Sequence, residues 1–480
     1  MASVILSKPR RVLIVGGGPC GLVSLRNLVD RGEFDEVVLA ERRDDVGGVW
    51  YLEDLPTSNT PRSRPFWPSP AYPGLIGNVL RSTCPFHTIH SLLAETHAYL
   101  RQFAERFLAS GQIRLSTEVV WVDELPESRG WSVTTRDWRA GKDGAVHVEA
   151  WDAVVVATSW YDHPSWPEST PGLAEARAAG LATHTQTWNG PDGYQGKVSN
   201  PKLLARSCGR SANDVLSQLA PVAQAPVYRS IRRQGLRRFA FLSDSRAIDV
   251  LPITRYTVKP TGKLDLQLLD GSTLMDVDAV IHGTGYSAAA APFVRVLQPP
   301  SASSTTPRAL TTLTSAHTSP PRIPALYRHI LYAPTPTLAV IGAAMSYTPF
   351  TLADVASTWL TLFFAGRLAI PDGVEARLQG ERERIAKVQH VRQMGIEREG
   401  KEASSLVAYH ILGPDEQSYA QGLKDDVVAV ANEYASVLPE WSDAEWQRRE
   451  GMYERKWVSL MAARDAELEA QKGVGSIPRL

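Results

Sequence analysis

Several protein classes are excluded by what the 480-residue chain has little of. Three cysteines occur, Cys20, Cys84 and Cys208, an odd and scattered set. They cannot form a disulfide framework, and they point to a reducing compartment. There is no net charge, with 51 Lys+Arg against 51 Asp+Glu, so no basic field is offered to nucleic acid or an anionic membrane. No apolar run is long and unbroken enough to span a bilayer. The longest apolar region, "TLAVIGAAMSYTPFTLADVASTWLTLFFAG", is interrupted by Pro349 and Asp354 and reads as buried core. The N-terminus "MASVILSKPRRVLIVGGG" carries its basic residues after its apolar patch, which is not the order of a signal peptide. The expectation is a cytoplasmic protein with no membrane span, no nucleic-acid partner and no metal site.

What is present is a globular composition, 43% hydrophobic and 21% charged, on a chain long enough for two or three domains. Residues 11–50 read as an apolar strand, a glycine turn, the helix "GLVSLRNLVDRG" and a second strand "EVVLA". That order at that spacing implies a parallel sheet with a right-handed crossover. A Pro/Ser-rich loop follows, then helical periodicity at "HSLLAETHAYLRQFAERFLA" and strand-like runs at "EVVWVDEL", "GWSVTTRD" and "HVEAWDAVVVAT". A second unit is expected from about Trp166 to Tyr286. Residues 299–322 are Ser/Thr/Pro-rich, and charged helical sequence dominates from Glu375 onward.

The glycine turn in "RVLIVGGGPCGLVSL" supplies Gly16, Gly18 and Gly21 after a buried strand and at a helix start. In such a turn the first glycine permits the tight bend and the second lets backbone approach a pyrophosphate. The third allows close packing of helix on strand, and the helix N-terminus offers free N–H groups to the phosphates. Glu41 follows 20 residues past Gly21 at the end of the next strand, where a carboxylate can accept both ribose hydroxyls. These five features in register predict a dinucleotide site.

The acid sits in "ERRDDVGGVW", and here the sequence resembles the flavin-containing monooxygenases, whose GGxW element closes over FAD; Gly47, Gly48 and Trp50 match it. The resemblance continues through "SPAYPGLIGN", which places Asn78 near the flavin as the catalytic asparagine. It extends through "DAVVVATSWYDHPSWPE", where Ser159 replaces the usual glycine, then "DAVIHGTGY" and "HILYAPTPTLAVIGAAMSYTPF". It covers most of residues 11–370 and is closest to the fungal members. Asp354 departs from it, since those members tend to carry an uncharged amide there, near the flavin. "GLATHTQTW" partly matches the fingerprint FxGxxxHxxxF/Y through Gly180 and His184, with Ala178 in place of the aromatic. Trp188 ends it, as in the Baeyer–Villiger relatives. Without the resemblance, Trp50 reads as core filler, Asn78 as a self-bonded loop residue and His184 as a structural histidine.

The stretch "KLLARSCGRSANDV" falls where the family places its NADPH turn, and the first glycine is missing. Ser207 stands there, Gly209 keeps the middle position, and Ser211 can cap the helix and bond a phosphate. Arg206 ends what should be an apolar buried strand. Arg229 lies 20 residues beyond Gly209, where an arginine accommodates the 2′-phosphate of NADP; a solvated basic face is the other reading.

Together these readings predict an α/β protein with two Rossmann-like dinucleotide-binding domains. Residues 1–164 and 286–480 form a discontinuous FAD-binding domain with a C-terminal helical region, and residues 165–285 form an inserted NADPH-binding domain. The resemblance implies a monooxygenase that uses FAD and NADPH. It would pass one oxygen of O2 through a C4a-hydroperoxyflavin to a sulfur or amine nitrogen of a small molecule, with fungal secondary metabolism as a setting and a homodimer allowed. Three alternatives stay open: a Baeyer–Villiger monooxygenase, an NADPH-independent flavoenzyme, and a flavin-binding protein without enzymatic activity.

Overall fold

A computed structural model describes residues 3–4, 8–51, 65, 67–71, 93–158, 160–194, 202–206, 210–223, 226–231, 246–286, 291–298, 308–314, 318–346, 348–399, 407–452, 454 and 458. These residues fall into two compact units. The first draws on the described residues within Met1–Trp67, Thr96–Trp160 and Ala288–Arg449, the second on those within Pro68–Glu95, Tyr161–Ser287 and Glu450–Leu480.

The first unit is built on the Arg11–Val15 strand, which is buried at four of its five positions. An apolar run of this kind suits a central parallel strand covered on both faces. It pairs in parallel with Glu36–Ala40, Ile14 opposite Leu39, and with Ala153–Val156, Ile14 opposite Val155. Ile113–Arg114 and Leu338–Val340 extend the parallel sheet on its two sides. An antiparallel hairpin, Leu326–Tyr327 and Leu331–Tyr332, finishes one edge. A second sheet runs in the order Leu310–Thr312, Val294–Leu297, Thr117–Glu124, Trp131–Asp137, Ala145–Trp151. Its inward Trp131 and Trp151 share a core with Leu13, Val154 and Val340 of the parallel sheet.

Helix Pro19–Arg31 buries Gly21, Leu22, Ser24, Leu25, Asn27 and Leu28, the spacing of one helical face. It packs with helix Pro349–Phe364, which is buried at twelve positions including Trp359, Phe363 and Phe364. This helix is the second half of the long apolar region of the sequence, whose first half includes the buried strand Leu338–Val340, so the expectation of core holds. No helix among the described residues is long and apolar enough to cross a membrane.

Asp354 faces the Pro19–Arg31 helix. Its carboxylate meets Arg26 at 2.5 Å, Arg31 at 3.6 Å and the Asn27 amide at 3.0 Å. The charge is part of an interhelical ion pair, which is why the buried helix tolerates it.

In the second unit the sheet order is Ala247–Val250, Val227–Ser230, Lys202–Arg206, Thr273–His282, Leu264–Leu268, Ile253–Val258. Ala182–His184 pairs alongside the end of Thr273–His282. The first four strands are mutually parallel. Helix Arg210–Leu219 follows the central strand and packs Ala212, Val215, Leu216 and Leu219 with Val227 and Ile281. Helix Leu93–Ala109 and helix Val374–Glu399 occur where periodicity placed them.

Candidate functional site

The glycine turn of the first unit is set by steric necessity at Gly16 and Gly21. Gly16 has φ +108°, and a Cβ there would lie 3.0 Å from the Ala157 carbonyl oxygen. Gly21 is the most constrained: a Cβ would stand 1.8 Å from the Gly16 carbonyl oxygen. Gly18 has no such neighbour; its nearest would be Gly48 Cα at 3.4 Å. It is also the N-cap of the Pro19–Arg31 helix and provides no side-chain cap. First-turn N–H groups have no intrahelical acceptor, so an open glycine face meets an uncapped helix start, the arrangement that binds a pyrophosphate.

Glu41, 5% exposed, closes the turn from the next strand. Its Oε2 accepts from the Gly17 N–H at 2.6 Å and its Oε1 from the Arg43 N–H at 2.8 Å. An ionised carboxylate has about four acceptor sites, which leaves capacity for ribose hydroxyls. A Cβ on Gly17 would lie 3.0 Å from both Cβ and Oε2 of Glu41. Gly17 therefore belongs to the site, a residue that the spacing rule for such turns passes over.

The second glycine element lies directly on this turn. Gly47, φ +130°, donates to the Gly17 carbonyl at 2.9 Å, and a Cβ on Gly48 would come within 2.7 Å of Gly18 Cα. Arg43 holds the element in place, its Nη1 donating to the Gly48 carbonyl at 3.0 Å and its Nη2 to Trp67 at 3.0 Å. Trp50 is half-buried and packs on the large hydrophobic core. At the end of Ala153–Val156, the Thr158 hydroxyl is buried without a hydrogen-bond partner among the described residues, while its methyl borders Gly16. An orphaned hydroxyl beside an open cradle fits a polar ligand there. Cys20, in the helix's first turn, is not a nucleophile, because burial pushes its thiol up to about 11.

In the second unit, the strand, helix and strand of the second nucleotide motif are all present. Ser207 and Gly209 lie outside the described residues, as does Asn78. Ser211 falls in the first turn of Arg210–Leu219. Arg229 is in the next strand, where its guanidinium grips Asp249 with two bonds of 2.7 and 2.8 Å and Asn213 Oδ1 at 3.1 Å. Asp249 is the register partner of Arg229 on the adjacent strand, and only that pairing, not the sequence, reveals it. His184 is buried between Trp166 and Tyr286 and accepts from the Gln186 N–H through Nδ1 at 3.1 Å. Burial pushes its imidazole down to about 4, against a raising contribution from the Gly285 backbone. It is a neutral core residue at pH 7. Among the described residues no group of His, Cys, Asp or Glu side chains could hold a metal ion.

Comparison with known proteins bears on these two sites. The profile of the flavin-binding monooxygenase-like family matches residues 9–258. The chain is 28% identical over 395 residues to flavin-containing monooxygenase FMO GS-OX-like 2 of Arabidopsis thaliana, covering 75% of each chain. It is 31% identical over 235 residues to N-oxide-forming dimethylaniline monooxygenase 4 of Mus musculus, covering 46% of this chain and 38% of that one. In fold it is similar to S-allyl-L-cysteine S-oxygenase from Allium sativum, with TM-score 0.65 and 21% identity over 94% of this chain and 92% of that one. It is also similar to NADP+-bound cyclohexanone monooxygenase from Rhodococcus sp. Phi1, with TM-score 0.56 and 16% identity over 88% and 98%.

Proposed function

The chain belongs to the flavin-binding monooxygenase-like family, and on that premise we propose that it oxygenates a sulfur or amine nitrogen of a small molecule. It is an oxidoreductase that uses FAD and NADPH. The overall reaction consumes NADPH, a proton and O2, places one oxygen atom on the substrate and releases the other as water. Bound FAD supplies the electron relay and the activation of O2. The family membership speaks for the monooxygenase class, and the S- and N-oxygenating relatives support a soft nucleophile as the acceptor.

The observation that carries the FAD assignment is the Gly16–Gly21 turn, where a Cβ at Gly21 would be 1.8 Å from backbone oxygen while Gly18 stands at an uncapped helix start with only Gly48 backbone beside it. We assign the pyrophosphate to that turn and the adenosine ribose to Glu41, with Gly48 and Trp50 closing over them. Residues 1–164 and 286–480 then bind FAD and residues 165–285 bind NADPH, a division favoured by the separate compact unit that spans Tyr161–Ser287. Ser207, Gly209 and Ser211 are assigned to the NADPH phosphates and Arg229 to its 2′-phosphate. Asn78 is assigned to the oxygen-transfer region by resemblance.

The test is anaerobic reduction of the FAD-loaded protein by NADPH, followed by air with methyl phenyl sulfide, a tertiary amine or cyclohexanone present. Flavin bleaching and formation of sulfoxide or N-oxide are expected. Lactone as the main product would transfer the protein to Baeyer–Villiger chemistry, and failure of NADPH to bleach the flavin would overturn the NADPH assignment.

A further inference from the structure

Within the first unit, the Leu326–Tyr327/Leu331–Tyr332 hairpin and the helices Val374–Glu399 and Glu416–Val430 contribute to the walls of a cavity of about 400 Å³. That size is typical of small-molecule pockets. The glycine cradle contributes none of its lining residues, which include Tyr327, His329, Arg377, Glu381, Tyr409 and Tyr419.

The hairpin turns on Arg328 and His329, with φ of 51° and 56°. Two adjacent left-handed residues that are neither Gly nor Asn are uncommon, because a side chain makes that conformation costly. Here the fold holds it and so seats the His329 ring 4.9 Å from Tyr409 and 5.7 Å from Tyr419.

Proton positions follow from the bonds around that ring. The Ile323 N–H donates to His410 Nε2 at 3.0 Å, so the neutral His410 ring carries its proton on Nδ1. That N–H faces His329 Nδ1 at 3.1 Å, which must accept. The His329 proton is left on Nε2, for which no protein partner exists among the described residues. Burial keeps both rings neutral, pushing His329 down to about 3 and His410 well below its ordinary value.

Two further donors are similarly unspent. The Tyr409 hydroxyl has no protein hydrogen bond among the described residues, although the residue is 1% exposed. Arg377 gives its Nε to the Pro371 carbonyl and its Nη1 to Ala333, at 2.9 and 2.8 Å, and has no ion-pair partner among the described residues. The other charges around the cavity are matched: Glu381 takes Arg322 and the Ala325 N–H, and Arg328 takes Asp426. The lining therefore ends in one positive charge and two neutral donors, set among tyrosine rings.

We propose that this cavity binds a small organic anion, a carboxylate on a flat apolar body, with the carboxylate held by Arg377, His329 and Tyr409 and the body placed among Tyr327 and Tyr419. Planar recognition of a carboxylate is the task that a guanidinium performs best.

Benzoate is the probe, titrated calorimetrically into the full-length FAD-loaded protein, with benzamide as its uncharged counterpart. Saturable one-to-one binding of benzoate is expected, with benzamide at least tenfold weaker and the visible spectrum of the flavin unchanged. Arg377→Gln should abolish binding. Tyr409→Phe, which removes a hydroxyl that no group among the described residues uses, should weaken it about fivefold and leave folding intact, so it decides the matter if the arginine variant misfolds. No benzoate binding, equal affinity for benzamide, or affinity insensitive to Tyr409→Phe would each overturn the site. A flavin spectral shift that survives Tyr409→Phe would place benzoate at the flavin and overturn it too.

Discussion

At the scale of single residues, the site is governed by where a methyl group can and cannot go. Gly21→Ala drives a Cβ against backbone oxygen, and neither helix nor strand can yield without opening the turn. FAD affinity should fall at least about 100-fold, roughly 2.7 kcal/mol, read by fluorescence titration of the apoprotein. Gly17→Ala meets Glu41 alone among its nearest neighbours, Cβ and Oε2 both at 3.0 Å, and a shift of a few tenths of an ångström relieves it. The same titration should show a loss nearer tenfold. Equal losses for the two would remove the steric account. Asp354 makes a contrasting case. Asp354→Asn leaves Arg26 and Arg31 without their carboxylate. Because the group is partly exposed, the cost should be about 2 kcal/mol, below the ~3–5 of a fully buried pair. NADPH oxidation measured well below the unfolding transition should not change, as it would if Asp354 met the flavin.

At the scale of the element, the strand Lys202–Arg206, helix Arg210–Leu219 and strand Val227–Ser230 form the second nucleotide motif even though the sequence departs from its pattern. A serine in place of the first glycine costs roughly 1–2 kcal/mol in a left-handed turn, so Ser207→Gly should tighten NADPH about tenfold in stopped-flow reduction. Arg229→Ala should weaken NADPH and spare NADH. Since Asp249 now occupies the guanidinium through two bonds, Asp249→Ala should do the opposite and tighten NADPH alone. NADH responding in parallel would show that Arg229 serves only the sheet. The strands, the glycine turn and the buried helix were legible because each rests on local pattern: a continuous apolar run, a glycine whose Cβ has no room, a face repeating every three to four residues. Asp249, Thr158 and the Arg26–Asp354 pair were not. They depend on which strand lies beside which, or on partners 328 residues apart, and no local pattern encodes that.

At the scale of the whole molecule, His184, His329 and His410 are held neutral by burial, with His184 down to about 4 and His329 to about 3. Each has its ordinary value near 6.5 when unfolded, so below that pH the unfolded chain binds protons that the folded chain does not. Stability is therefore full above about pH 6.5 and declines as pH falls from there toward 5, by up to about 1.4 kcal/mol per pH unit for each histidine. Urea midpoints of the FAD-saturated protein between pH 7.5 and 5 should show this slope, and a flat profile would contradict the burial of the three rings. The order of strands in the first unit has another consequence, one of timing. Ala153–Val156, apolar throughout, takes Leu338–Val340 as its outer neighbour, a partner that a ribosome makes roughly 180 residues later, about 10–40 s at ordinary rates of elongation. For that interval the nascent sheet carries an open, sticky edge. Soluble yield in a recombinant host should follow the supply of holding chaperones more closely than the stability of the finished protein.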